Sequence, residues 1–114
     1  MGTTTSNATQ TLHYDLPPAV VAEACQSALR ACGSVQRVSR ETGIIEGKVN
    51  VSFWNGNARI SIRVAKSGEG TEVHIQTSRS EVKTTSGGAE KGMSMFIQAL
   101  ANQPSLKGAS NAGW

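Results

Sequence analysis

The sequence predicts an α+β two-layer sandwich: an antiparallel sheet of four to five strands with two helices on one face, in the order β-α-β-β-β-β-α. Three observations carry this expectation. Within residues 43–78, three stretches alternate apolar and polar side chains with turn signals between them. A segment with apolar residues at helical spacing lies on either side of that block. The inward rows of the strands are the only apolar surface large enough to cover both helical stripes, so both helices are expected on that face.

The first strand is expected over residues 9–16, where Leu12, Tyr14 and Leu16 alternate with Thr11, His13 and Asp15. Pro17 and Pro18 stop it and suit the first turn of a helix, where the missing N–H groups have no partner to lose. Val21, Ala24, Cys25, Ala28, Leu29 and Cys32 then recur at helical spacing, and Gly33 follows as the residue expected just past a helix end. A short, weakly patterned strand is expected over residues 35–40, with a turn over residues 41–43.

The next strand is clearer. Ile45, Gly47, Val49, Val51 and Phe53 alternate with Ile44, Glu46, Lys48, Asn50, Ser52 and Trp54, giving one core side and one mostly polar side. Asn55-Gly56 is the best short hairpin signal, because both residues tolerate the positive φ of a type I′ turn. Ala58, Ile60, Ile62 and Val64 face inward on the following strand, against Arg59, Ser61 and Arg63. After a turn over residues 67–70, Val73, Ile75 and Thr77 face inward and Glu72, His74, Gln76 and Ser78 outward. The second helix follows a polar stretch, with Ala89, Met93, Phe96, Ile97 and Leu100 as its apolar stripe and Pro104 as its limit.

A chain of 114 residues suits one domain. Residues 9–102 are expected to form it, between tails at residues 1–8 and 103–114 that are rich in small polar residues. The net charge of +3 comes from dispersed lysines and arginines, whereas a nucleic-acid binder usually shows a denser cluster. There is no signal-peptide pattern and no apolar run of membrane-span length, so a cytoplasmic location is expected. Cys25 and Cys32, seven residues apart on a helix, would be about 10 Å apart along its axis, beyond the reach of a disulfide. They read as buried free thiols.

The spacing of Glu41-Thr42-Gly43-Ile44-Ile45-Glu46-Gly47, the paired strands, Gly70-Thr71-Glu72-Val73-His74-Ile75, and the closing helix with Phe96 and Leu100 resemble small bacterial domains of unknown function. Their layout is similar to a reduced helix-grip, or Bet v1-like, fold. Larger helix-grip proteins hold apolar ligands between the sheet and a long C-terminal helix. This chain has fewer strands and a shorter closing helix, and the resemblance carries over no binding residues.

A two-residue Asn55-Gly56 hairpin would place Ser52 opposite Arg59 and Lys48 opposite Arg63. Pairing Val64 with Val73 would also place Arg63 opposite His74. Lys48, Arg63 and His74 would then form one row on the outer face, with Arg59 and Trp54 nearby. Like charges across a ladder are unfavourable. The favoured expectation is that Glu46 and Glu72, in the adjoining row, neutralise them. The alternative is an anion or nucleic-acid backbone docking there, with Trp54 as a stacking residue.

Other motifs read as structural. Gly87-Gly88-Ala89-Glu90-Lys91-Gly92 lacks the Ser or Thr after its lysine that a phosphate loop needs. His13 and His74 have no partners at metal-ligand spacing. Neither a metal nor another cofactor is expected, and no catalytic residue is assigned. Three classes remain: a noncatalytic binding or protein-interaction domain, acting through the sheet face, its edges or self-association; a carrier of a small apolar ligand between sheet and helices; and an enzyme, which is disfavoured because no paired titratable groups are visible.

Overall fold

The computed structural model describes residues 3–52, 56–82 and 88–106. The elements are β1 (Thr3–Tyr14), α1 (Pro18–Cys32), β2 (Gly33–Ser39), β3 (Ile44–Ser52), β4 (Gly56–Ser67), β5 (Gly70–Val82) and α2 (Gly88–Ala101). This is the expected order. The five strands form one sheet in the order β1-β5-β4-β3-β2, antiparallel at every neighbouring pair. The chain therefore crosses from one sheet edge to the other through α1, then returns by successive hairpins.

The inward faces of the strands meet both helices. One row, Gln10-Ile75-Ile62-Ile45-Val38, crosses all five strands. Ile45, Ile62 and Ile75 are fully buried there, against Leu29 from α1 and Phe96 and Leu100 from α2. Each such side chain contributes about 1.5–3 kcal/mol on burial. Ala24 and Ala28 let α1 approach closely, while Pro18 occupies its first turn as expected. Two buried threonines are satisfied by backbone: Thr71 Oγ1 donates to Leu16 O and Thr77 Oγ1 to Ala89 O, each at 2.6 Å.

The structure departs from the sequence expectations at several places, four of them in the course of the chain and the register of its strands. Residues 3–8, expected in a tail, belong to β1, because β5 extends to Val82 and pairs with them from Ala8↔Thr77 to Thr3↔Val82. Leu106, expected in the other tail, is 2 % exposed and joins the core through a short helical turn after Pro104. Gly33 is extended, with φ −178°, so it is not the left-handed cap that its position suggested. A Cβ there would collide with the Lys48 carbonyl, and close strand approach explains the glycine instead.

The fourth departure bears on the outer face. Lys48 lies opposite Arg59, and Arg63 opposite Ile44, a shift of four residues from the expected register. Ser52↔Gly56 closes the ladder, so Gly56 is in the strand and the connection is residues 53–55, outside the described residues. A shift of an even number leaves every side chain on its own face. Apolar alternation therefore could not separate the two registers.

Candidate functional site

With both helices on the inward face, no element among the described residues covers the other side of the sheet, to which every strand contributes side chains. Three rows cross it. Asn7-Ser78-Arg59-Lys48-Ser34 is one, Thr9-Gln76-Ser61-Glu46-Arg37 the next, and Thr11-His74-Arg63-Ile44-Ser39 the third. The expected single row of Lys48, Arg63 and His74 is thus two pairs. Lys48 faces Arg59, Arg63 faces His74, and the two arginines stand four residues apart on β4, about 13 Å at the usual strand rise. Trp54 lies outside the described residues.

The carboxylates expected to neutralise these cations are engaged elsewhere. Glu46 Oε1 pairs with Arg37 Nη1 at 3.8 Å. Glu72 sits between two imidazoles, 3.0 Å from His13 Nε2 and 2.6 Å from His74 Nε2. The other ring nitrogen of His74 lies 3.2 Å from Thr11 Oγ1, which ties both sides of that ring. His74 is therefore not the open cation that the sequence suggested. Among the described residues, Lys48, Arg59 and Arg63 have no acidic partner.

Around the first pair the face is concave. A depression of about 510 Å³ is lined by Gln36, Glu46, Lys48, Arg59, Ser61, Gln76 and Ser78. Its two cations come from adjacent central strands, while amides and hydroxyls supply neutral hydrogen-bonding groups around them. The sequence placed Ser61, Gln76 and Ser78 on the outer face. Gln36 and the direct pairing of Lys48 with Arg59 were missed, because the first depends on how β2 meets β3 and the second on the register of β3 against β4.

The inward side presents a different groove. About 580 Å³ lies between α1 and strands β2 to β4, with Ala19, Ala22, Val38, Ile45 and Val64 as its apolar lining and Glu23 and Arg40 at its margin. Val38 is 40 % exposed. On the α2 side, Phe96 and Leu100 pack into the core with the buried strand residues.

Among the described residues no group of three His, Cys, Asp or Glu side chains could hold a metal ion. Both cysteines are free. Burial pushes the Cys25 thiol up to about 12 and also raises Cys32. Cys25 is buried as expected, whereas Cys32 is only partly covered. No helix among the described residues is long and apolar enough to cross a membrane.

No family model matches the sequence, and no curated protein resembles it in sequence. Solved structures do share its shape. Ara h 8.0201 aligns with TM-score 0.65 over 92% of this chain and 97% of that chain, at 7% identity. The fold is a reduced helix-grip, or Bet v1-like, layout. Mll3558 from Rhizobium loti aligns with TM-score 0.59 over 90% of this chain and 99% of its own, at 15% identity. CalU16 from Micromonospora echinospora gives 0.55 over 88% and 82%, at 16% identity. Similarity at these identities is one of fold, and function has to be argued from the site.

Proposed function

We propose that this protein is a noncatalytic binding module that takes phosphate-bearing ligands on the open face of its sheet. The observation that carries this reading is the arrangement of charge. Lys48 and Arg59 face each other across a concave polar surface, Arg63 lies further along the same strand, and the nearby carboxylates of Glu46 and Glu72 are engaged by Arg37 and the two histidines. Two adjacent like charges raise each other's energy. A bound anion relieves that repulsion, and Arg59 adds the planar fork suited to a phosphate oxygen pair.

The test is a titration with inorganic phosphate, phospholipid head groups and short oligonucleotides at low and high salt, following backbone amide shifts. Shifts confined to the Lys48 and Arg59 depression, reduced by salt and lost in Lys48→Glu with Arg59→Glu, are expected. Comparing the three ligands separates a free phosphate, a lipid head group and a nucleic-acid backbone as the source. If no ligand shifts these amides even at low salt, the proposal fails.

The groove beneath α1 favours a second reading, as a carrier of a small apolar ligand. Its apolar lining and partly exposed Val38 support this, as does the helix-grip layout. Such a ligand would sit on the α1 side, where Ala19, Ala22, Val38, Ile45 and Val64 line the groove. Saturable binding of an apolar fluorophore, lost in Val38→Asp, would support it; unchanged binding in that variant would remove it.

A further inference from the structure

We propose that β1 is a self-association edge, through which two copies of this chain pair antiparallel into one continuous ten-stranded sheet. This goes beyond the ligand reading and does not depend on it. The two edges of the sheet are built differently. At the β2 edge, pairing with β3 is interrupted by a register shift between Val35 and Arg37, and Arg37 places a charge on the strand. A bulge and a charge are the usual means of blocking further strand addition.

β1 carries no bulge, and its one ion-paired side chain among the described residues, His13, lies near the strand's end and is held by Glu72 of β5. The strand runs twelve residues from Thr3 to Tyr14, contains no Asp, Glu, Lys, Arg or Pro, and pairs with β5 without a register shift. Among the described residues it has a strand neighbour, β5, on one side only. Its other side therefore presents a row of backbone donors and acceptors to whatever lies beside it.

A second copy fits this edge because the edge complements itself. In an antiparallel pair related by a two-fold axis, residues directly opposite point to the same side of the sheet. With the axis at Thr9, Asn7 faces the second copy's Thr11 on the outer side and Ala8 faces Gln10 on the inner side. None of these side chains is charged. The pairing thus avoids like-charge repulsion that a chain of net charge +3 would meet at many other self-contacts.

The inward side next to β1 supplies a second contact. A groove of about 590 Å³ runs between β1 and α2, with Ala8, Met93, Ile97 and Ala101 as its apolar residues and Glu90 as the charged one among the described residues. Ile97 is only half-buried in the single chain. Adding a strand beyond β1 brings the second copy's α2 alongside and covers this groove from both sides. Backbone pairing then gives the contact its direction, and burial of Ile97 and its neighbours adds apolar area.

Light scattering and sedimentation of the full chain, from low micromolar to near-millimolar concentration, are expected to show a monomer–dimer equilibrium. Hydrogen exchange should show β1 amides gaining protection as concentration rises, with β2 amides unchanged. Thr9→Lys with Thr11→Lys should weaken the dimer by at least about tenfold, and Ile97→Asp should weaken it independently. Ser34→Lys, on the β2 edge, should leave it unchanged. Circular dichroism establishes that each variant is folded; should the lysine variant unfold, Ile97→Asp and the wild-type exchange pattern still decide. A monomer at every concentration overturns the proposal. So does a dimer indifferent to both β1-side variants, or an edge that gains protection only when an extended peptide is added.

Discussion

Lys48 lies directly opposite Arg59 in the β3–β4 ladder, and neither side chain has an acidic partner among the described residues. A cross-strand pair of like charge is unfavourable by a fraction of a kcal/mol to about 1 kcal/mol. The arrangement costs stability and creates a positive surface.

Lys48→Glu should therefore raise stability while removing the proposed ligand site. Placing a carboxylate opposite Arg59 converts repulsion into attraction, for a gain of about 0.2–1 kcal/mol. Urea melts measure the gain, and phosphate titration measures the loss. A less stable variant that still binds would contradict both the register and the site.

Ile62→Ala should cost about 2–5 kcal/mol, through lost burial and the cavity left behind. Ile62 is fully buried in the row that crosses the whole sheet. Arg59→Ala, on the outer face, should cost far less. Equal losses in denaturant melts would mean that the two faces are not distinct.

Gly47→Ala should destabilise β2 in particular. A Cβ at Gly47 would collide with the Ser34 backbone carbonyl and approach Leu29 Cδ2 to 2.9 Å, so the edge strand must move outward. A loss of about 1–3 kcal/mol is expected for such overpacking. Amide exchange should accelerate in β2 before β4; uniform acceleration would point to a different cause.

Stability should fall at alkaline pH. The Cys25 thiol is raised from 9.0 to about 12 by burial, so the folded chain keeps a proton that the unfolded chain releases first. The contribution is fully present below about pH 9 and is lost as pH rises through the folded value. Within that window a single such group gives a slope of about 1.4 kcal/mol per pH unit. Tyr14 and Cys32, also raised by burial, act in the same direction. Cys25→Ala should flatten the decline in urea melts without abolishing it; an unchanged slope would mean that Cys25 does not titrate on unfolding.

Apolar period alone determined that this chain is two helices on one face of an antiparallel sheet. Ile60, Ile62 and Val64 alternate with Arg59, Ser61 and Arg63, while Met93, Phe96 and Leu100 recur at helical spacing, and these two periods can bury their apolar residues together in only one layered arrangement. The same alternation placed Lys48, Arg59, Arg63 and His74 on the outer face. Only the tertiary structure decided which of them meet, because a four-residue slip of β3 against β4 preserves every residue's side and changes every residue's neighbour. It also decided which carboxylate serves which cation, since Glu72 reaches His13 across from β1, and that strand is the first in sequence and the neighbour of the last. The pairing of residues 3–8 and the burial of Leu106 depended likewise on contacts remote in sequence, which no local pattern of Thr, Ser and Gly encodes.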